Sequence, residues 1–279
     1  MLSSDNLEPP AFRARDLSFA YPDGTRALDG VSFDIRPGER VALLGANGSG
    51  KSTLLRLLGA LEFPTRGEVM AFGQTLTEDA LEDDAAAHAF RRRVQFVFQD
   101  ADIQLFSPTV EEEVAFGPLH LTTDTSDVRR QVGEALERLN IPHLAERAPH
   151  RLSGGEKRKV ALASVLVLRP DVLLLDEPAA GLDPRSVGAL IDILDDFHAG
   201  GGTIVLATHD IPLLAEMADR ALVLGEDHRL HADAPVPDIL ADRPLLESCN
   251  LVHIHRLHGE VQAHGHDHPI DSLAGETSA

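Results

Sequence analysis

The chain has 279 residues, with 45 acidic against 25 basic side chains and a formal charge of −20. That charge opposes binding to a nucleic-acid backbone or to anionic lipid. Aromatic residues make up only 4% and Trp is absent, so a base-stacking surface is not expected either, and nucleic acid is excluded as a partner.

Hydrophobic residues make up 43% of the chain, enough for a core. The longest apolar runs, at 160–168 and 172–175, are too short to span a bilayer. Residues 1–10 lack a basic region followed by an apolar stretch, so no signal peptide is expected. The single Cys249 excludes an intramolecular disulfide and fits a reducing compartment. The only lysines are Lys51, Lys157 and Lys159. An acidic, lysine-poor composition fits a salt-rich cytoplasm or a GC-rich genome.

Residues 1–10 read as a polar, flexible start. Residues 12–19 alternate through Phe12, Ala14, Leu17 and Phe19 and predict a strand, closed by the turn Tyr21-Pro22-Asp23-Gly24. A second strand is expected over 27–35 and a third over 40–44, running into Gly45. Leu-rich helical spacing covers 51–61, and another strand 68–72. Residues 76–92 predict a surface helix and 94–98 a strand. From 100 to about 151 helical patterns dominate (110–115, 128–139), broken by Pro108, Pro118, Pro142 and Pro149. Alternation then resumes: helix 156–168, strand 172–176, helix 187–199, strand 203–208, helix 211–219, strand 221–224. That order argues for a mostly parallel sheet wrapped by helices, an α/β fold. From about residue 250 the chain is polar and His-rich, and its end is expected to be disordered.

Gly45-Ala46-Asn47-Gly48-Ser49-Gly50-Lys51-Ser52-Thr53 fits the P-loop pattern between a strand and a helix. Its glycines let backbone N–H groups turn onto phosphate oxygens, and the following helix N-terminus favours anions. Lys51 is suited to reach β- and γ-phosphates, and Ser52 to ligate Mg²⁺. Val172-Leu173-Leu174-Leu175-Asp176-Glu177 reads as a buried strand ending in two carboxylates, where ligands of such sheets bind. Asp176 is suited to hold Mg²⁺, and Glu177 to accept a proton from the attacking water. Ser153-Gly154-Gly155 enters a helix carrying Lys157, Arg158 and Lys159. Its N–H groups offer a second phosphate grip, while Ser153-x-x-Glu156 equally satisfies a capping box.

The ordered set of P-loop, Gln99, Leu152-Ser153-Gly154-Gly155-Glu156, Asp176-Glu177, Gly181-Leu182-Asp183 and His209 resembles the ATP-binding cassette (ABC) ATPases. The resemblance implies a P-loop core over residues 11–240, with an antiparallel β-subdomain, a helical insert around 100–160, and a separate tail from 241 to 279. It implies that Tyr21 lies against adenine, Gln99 contacts Mg²⁺ and the attacking water, and His209 touches the γ-phosphate. It also implies that Ser153, Gly154, Gly155 and Asp183 serve the ATP held by the opposite protomer. ATP and Mg²⁺ are the expected cofactors. Glu156 stands where many members carry Gln, and Ala179 where Thr or Ser is frequent; neither removes a catalytic group.

DNA-maintenance ATPases of the family carry long coiled-coil or zinc insertions, and its translation factors two cassettes; neither is present here. The segments 99–106, 109–118 and 152–161 resemble the energy-coupling-factor importers, especially the cobalt and nickel branch. That implies a motor docked through the segment after Gln99 to a transmembrane coupling protein, beside a substrate-binding membrane component. The chain would be a homodimer, peripheral on the cytoplasmic side of the cell membrane. His253, His255, His258, His264, His266 and His268 crowd the tail. Alternating His suits Ni²⁺, Co²⁺ or Zn²⁺, with His264, His266 and His268 the candidate ligands, but the spacing fits a solvated low-complexity tail as well. A vitamin importer and a nucleotide-switched metal sensor or storage protein are the rival readings.

Overall fold

The computed structural model describes residues 9–121, 124–257 and 260–265, with side chains as far as Val252. The flexible start expected for residues 1–10 therefore lies, apart from Pro9 and Pro10, outside the described residues.

In chain order, β1 (Phe12–Ala20), β2 (Arg26–Ile35) and β3 (Arg40–Leu44) lead into α1 (Lys51–Leu58). β4 (Arg66–Ala71), β5 (Gln74–Thr75), α2 (Glu78–Glu82), α3 (Asp84–Arg93) and β6 (Val94–Val97) follow. A helical stretch of α4 (Ala101–Gln104), α5 (Val110–Leu121), α6 (Thr125–Arg138) and α7 (Gly154–Leu166) precedes β7 (Val172–Asp176). Next come α8 (Pro184–Ala199), β8 (Thr203–Thr208), α9 (Ile211–Met217), β9 (Arg220–Leu224) and β10 (Leu230–Pro235). The described chain ends with α10 (Val236–Ala241), α11 (Arg243–Ser248) and a hairpin of β11 (Val252–Leu257) and β12 (Glu260–Gly265).

Six strands in the order β10-β9-β3-β8-β7-β6 form one sheet, parallel except for β10. A second sheet, β2-β1-β4-β5, is antiparallel. Both β7 and β8 are buried at every position, because a parallel sheet is covered on both faces. Side chains alternate between two cores. Val41, Leu43, Leu174 and Val205 pack with α1 and the antiparallel sheet, while Ala42, Leu44, Leu173 and Leu206 pack with α5 to α9.

The register positions everything that follows. Leu44 pairs with Thr208, Ala207 with Asp176, and Leu175 with Val97. The residues next along the chain, Gly45, His209, Glu177 and, two positions past β6, Gln99, therefore emerge at one carboxyl edge of the sheet, where α/β sheets hold ligands.

Several boundaries differ from expectation. α1 stops at Leu58, short of residue 61. Ala60 adopts φ +51°, and Ala60 N–H and Leu61 N–H donate back to Leu57 O and Arg56 O, a Schellman termination without the usual glycine. The surface helix expected over 76–92 is two helices, because the Asp83 side chain caps the second by accepting from Ala85 N–H. Pro118 lies inside α5 instead of breaking it. An internal proline costs about 3 kcal/mol, and burial of Val110, Val114 and Pro118 against the helical core offsets it. Past β9 the chain keeps packing on the core through Val236, Ile239, Leu246, Cys249 and Leu251. From Val252 to Gly265 the His-rich stretch forms a hairpin whose backbone sets His253 opposite His264; the end expected to be disordered lies outside the described residues.

The loop between α4 and α5 is held by a buried carboxylate. Glu113, only 3% exposed, accepts the N–H groups of Phe106 and Ser107 at 2.9 and 2.7 Å. Glu113→Ala orphans both donors and is expected to cost about 1–3 kcal/mol. Urea unfolding measures this; unchanged stability would show that the loop does not depend on the carboxylate.

Candidate functional site

The loop from Gly45 to Gly50 wraps the N-terminus of α1. Gly50 has φ +106°, a conformation open to glycine alone at little cost, and a Cβ there would run into the carbonyl oxygen of Ala27. Ser49 N–H closes the turn onto Ala46 O at 3.2 Å. Ser49 Oγ is buried, with no hydrogen-bond partner among the described residues. Lys51 is 6% exposed. Its ammonium donates to Gly45 O at 2.7 Å and Ala46 O at 3.1 Å and stands 3.9 Å from Glu177 Oε1. Burial pushes the Lys51 pKa down, while Glu177 and Asp176 hold it up.

Ser52 Oγ donates to Asp176 Oδ1 at 2.9 Å. Glu177 follows in the left-handed region, φ +44°, a strained conformation for a side-chain-bearing residue. It is pinned there by its N–H bond to Ala207 O at 3.0 Å. Its Oε1 lies 2.9 Å from His209 Nδ1. A carboxylate only accepts, so this contact sets the tautomer with the proton on Nδ1. Tyr21 OH and Thr53 Oγ1 share a hydrogen bond of 2.8 Å, and the edge-on contact of Phe19 with Tyr21, 5.1 Å between centroids, fixes the ring.

A cleft of about 450 Å³ gathers Tyr21, Asn47, Gly48, Gly50, Lys51, Ser52, Thr53, Gln99, Glu177 and His209. Gly45 lies buried behind it, where a Cβ would stand 2.6 Å from Leu224 O. The cleft also includes Thr25, Arg26, Ala27 and His228, which sequence reasoning missed. Thr25 precedes β2, Arg26 and Ala27 begin it, and His228 sits in the β9–β10 turn, so no local pattern marks them. Ser49 and Asp176 are buried and do not line it, and Ser153, Gly154, Gly155 and Asp183 also stay outside this cleft. The last four are themselves close together. A Cβ on Gly155 would meet Ser186 Oγ at 2.6 Å, and that hydroxyl donates to Asp183 Oδ2 at 2.6 Å. Ser153 caps α7 in a full capping box with Glu156; the bonds from Ser153 N–H and Oγ hold the Glu156 pKa down. His266 and His268 lie outside the described residues, and of His264 only the backbone in β12 is described.

Arg158, between two lysines on the helix that follows the Ser153 turn, points inward. It is 5% exposed and donates to Phe98 O and Gln99 O at 2.7 and 2.6 Å.

The chain is similar to known proteins over most of its length. The ABC transporter family model matches residues 28–180. The nickel import ATP-binding protein NikO of Rhodobacter capsulatus is 49% identical over 246 residues, 87% of this chain and 96% of its own. Among solved structures, cbiO1 of Clostridium perfringens, part of the ABC transporter complex cbiONQ, matches with a TM-score of 0.75 at 35% identity, over 88% of this chain and 96% of its own. The dimeric cassette MJ0796 bound to ADP and Pi matches with a TM-score of 0.72 at 28% identity, over 81% of this chain and 98% of its own. The chain belongs to the ABC transporter ATP-binding family and is an ATPase of that kind.

Proposed function

We propose that the chain is the ATP-hydrolysing motor of an energy-coupling-factor importer for nickel or cobalt ions. It works as a homodimer, peripheral on the cytoplasmic face of the cell membrane. One observation carries this reading. Lys51, Ser52, Glu177 and His209 share one cleft, while Ser153 to Gly155 and Asp183 form a separate cluster outside it. A protomer thus holds one complete grip and one loose half, as two chains stacked head to tail require. The MJ0796 dimer, with ADP and Pi bound, supports the pairing, and the similarity to NikO, a nickel import protein, supports the cargo.

In this reading Tyr21 lies against the adenine, and the backbone from Gly45 to Gly50 cradles the phosphates, together with Asn47, Ser49 and Thr53. Lys51 exchanges the Gly45 and Ala46 carbonyls for β- and γ-phosphate oxygens. Ser52 Oγ and Asp176 Oδ1, already in contact at 2.9 Å, are hard oxygen donors suited to Mg²⁺, with Gln99 on the same cleft. Bound there, Mg²⁺ would neutralise charge on the β- and γ-phosphates. Glu177 accepts the proton of the attacking water. His209 holds the Glu177 carboxylate through Nδ1–H and lines the cleft where the γ-phosphate would lie. The partner's Ser153-Gly154-Gly155 turn and Asp183 close the other side.

Among the described residues no helix is long and apolar enough to cross a membrane, so the proposed attachment runs through a transmembrane coupling protein beside a substrate-binding membrane component. Ile103 (72% exposed) and Phe106 (65%) flank the end of α4, and Phe106 meets Phe116 edge-on at 4.9 Å. This apolar surface follows directly on Gln99, where movement of the motor would reach a docked partner.

Glu177→Gln is expected to lower kcat by about a hundredfold or more while keeping ATP, so that the variant gel-filters as a dimer with ATP and Mg²⁺. A monomer under those conditions would overturn the motor reading. Uptake of radiolabelled Ni²⁺, Co²⁺ and biotin by the reconstituted complex tests the cargo. Ni²⁺ or Co²⁺ is expected to accumulate; biotin uptake alone would favour the vitamin importer. For the tail, replacing His264, His266 and His268 with Ala is expected to abolish Ni²⁺ binding measured by titration calorimetry. Unchanged binding would leave the tail a solvated extension.

A further inference from the structure

Gln99 leaves the sheet two residues after β6 ends. The pairing of β6 with β7 ends at Val97 and Leu175, so the backbone beyond it finds partners elsewhere. Side chains from α4 and α7 supply them. Arg158 Nη1 donates to Phe98 O at 2.7 Å and Nη2 to Gln99 O at 2.6 Å. Gln104 Oε1 accepts Phe98 N–H at 3.3 Å, and its Nε2 donates to Ala161 O at 3.1 Å and Ser164 Oγ at 3.2 Å. At the rim, Lys157 Nζ meets Asp102 Oδ1 at 2.6 Å.

Three backbone groups of Phe98 and Gln99 are therefore bonded to side chains of α4 and α7. The strongest of these bonds come from one guanidinium, whose fork presents several donors in fixed geometry. Arg158 sits one turn beyond Gly154 and Gly155 on the same helix. The capping box of Ser153 and Glu156 keeps that first turn intact. A helical turn is stiff, so a shift of the loop at Gln99 carries over to the N-terminal N–H groups of α7.

We propose that Arg158 is a positioning residue that sets Gln99 in its own protomer's cleft and ties it to the N-terminal turn of α7, so that the two shift as one body. The proposal rests on the ATPase-dimer reading, in which Gln99 serves one nucleotide and the α7 turn serves the partner's. Motion at either site of the dimer is then felt at the other through Arg158. Arg158 does not line the cleft, so its loss acts on turnover and not on nucleotide capture.

A double-mutant cycle tests this with the full chain. ATP hydrolysis at saturating ATP, and ATP affinity by calorimetry, are measured for wild type, Arg158→Met, Gln99→Ala and the double variant. Arg158→Met is expected to lower kcat about ten- to a hundredfold with ATP affinity within about twofold. On the Gln99→Ala background the same change is expected to cost less than about twofold, because its effect runs through Gln99. Equal losses on both backgrounds, or no loss at all, would overturn the proposal. Arg158→Lys, which keeps a donor for one carbonyl, is expected to give an intermediate kcat; it replaces Met in the cycle if that variant melts below the assay temperature. A wild-type chain that does not hydrolyse ATP would refute the motor reading itself. An active wild type with additive losses refutes only the role of Arg158.

Discussion

The hydrogen bond from Ser52 Oγ to Asp176 Oδ1, 2.9 Å long, joins two segments 124 residues apart. It exists only because β3 and β7 flank β8 in parallel and stop at the same level. A one-residue slip in either pairing would exchange the two core faces and carry Asp176 away from α1. The same register brings Glu177 beside the Lys51 ammonium and beside His209. The site is thus a consequence of strand ends held level by apolar side chains on both faces of the sheet.

That placement creates an electrostatic tension which nucleotide can relieve. Lys51 is buried and pushed toward its neutral form, and the carboxylates of Glu177 and Asp176 hold its charge. Its hydrogen bonds go to carbonyls of its own loop. In the proposed function, phosphate oxygens would offer the same ammonium a full opposite charge, and charge-assisted bonds are about twice as strong as neutral ones. Glu177 stores a second tension in its left-handed backbone, a strain seen where function requires an exact orientation. The departure at Glu156 fits its local role, since its carboxylate accepts both Ser153 N–H and Ser153 Oγ–H and places negative charge where the α7 dipole favours it.

The P-loop, the acidic strand end and the capping box were legible because each is a contiguous pattern acting over one strand or one turn. The parallel sheet was legible because strands and helices alternate from residue 156 to residue 224. The Schellman end of α1 was not, since Ala60 takes a backbone conformation that glycine usually marks. Nor was the role of Arg158, which sits between Lys157 and Lys159 with nothing local to tell the three apart. Only helix packing turns the middle residue of the three inward. The helices after β9 were missed because α10 and α11 are short and gain their order by seating Val236, Ile239 and Leu246 on a core built elsewhere.

By itself the sequence determined the local chemistry: a glycine-rich loop ahead of Lys51, two carboxylates at the end of a buried strand, and the capped turn that starts α7. Those choices are local, because glycine conformation, helix capping and strand burial depend on near neighbours. The tertiary structure decided the assembly of those groups. It gathered Lys51, Asp176, Glu177 and His209 at one edge, enlisted Thr25 to Ala27 and His228 as walls, and bonded Arg158 to the loop of Gln99. Those relations depend on strand register and on helix packing between residues tens to hundreds of positions apart. No short pattern encodes such distances, because the apolar contacts that set them are interchangeable in sequence and specific only in space.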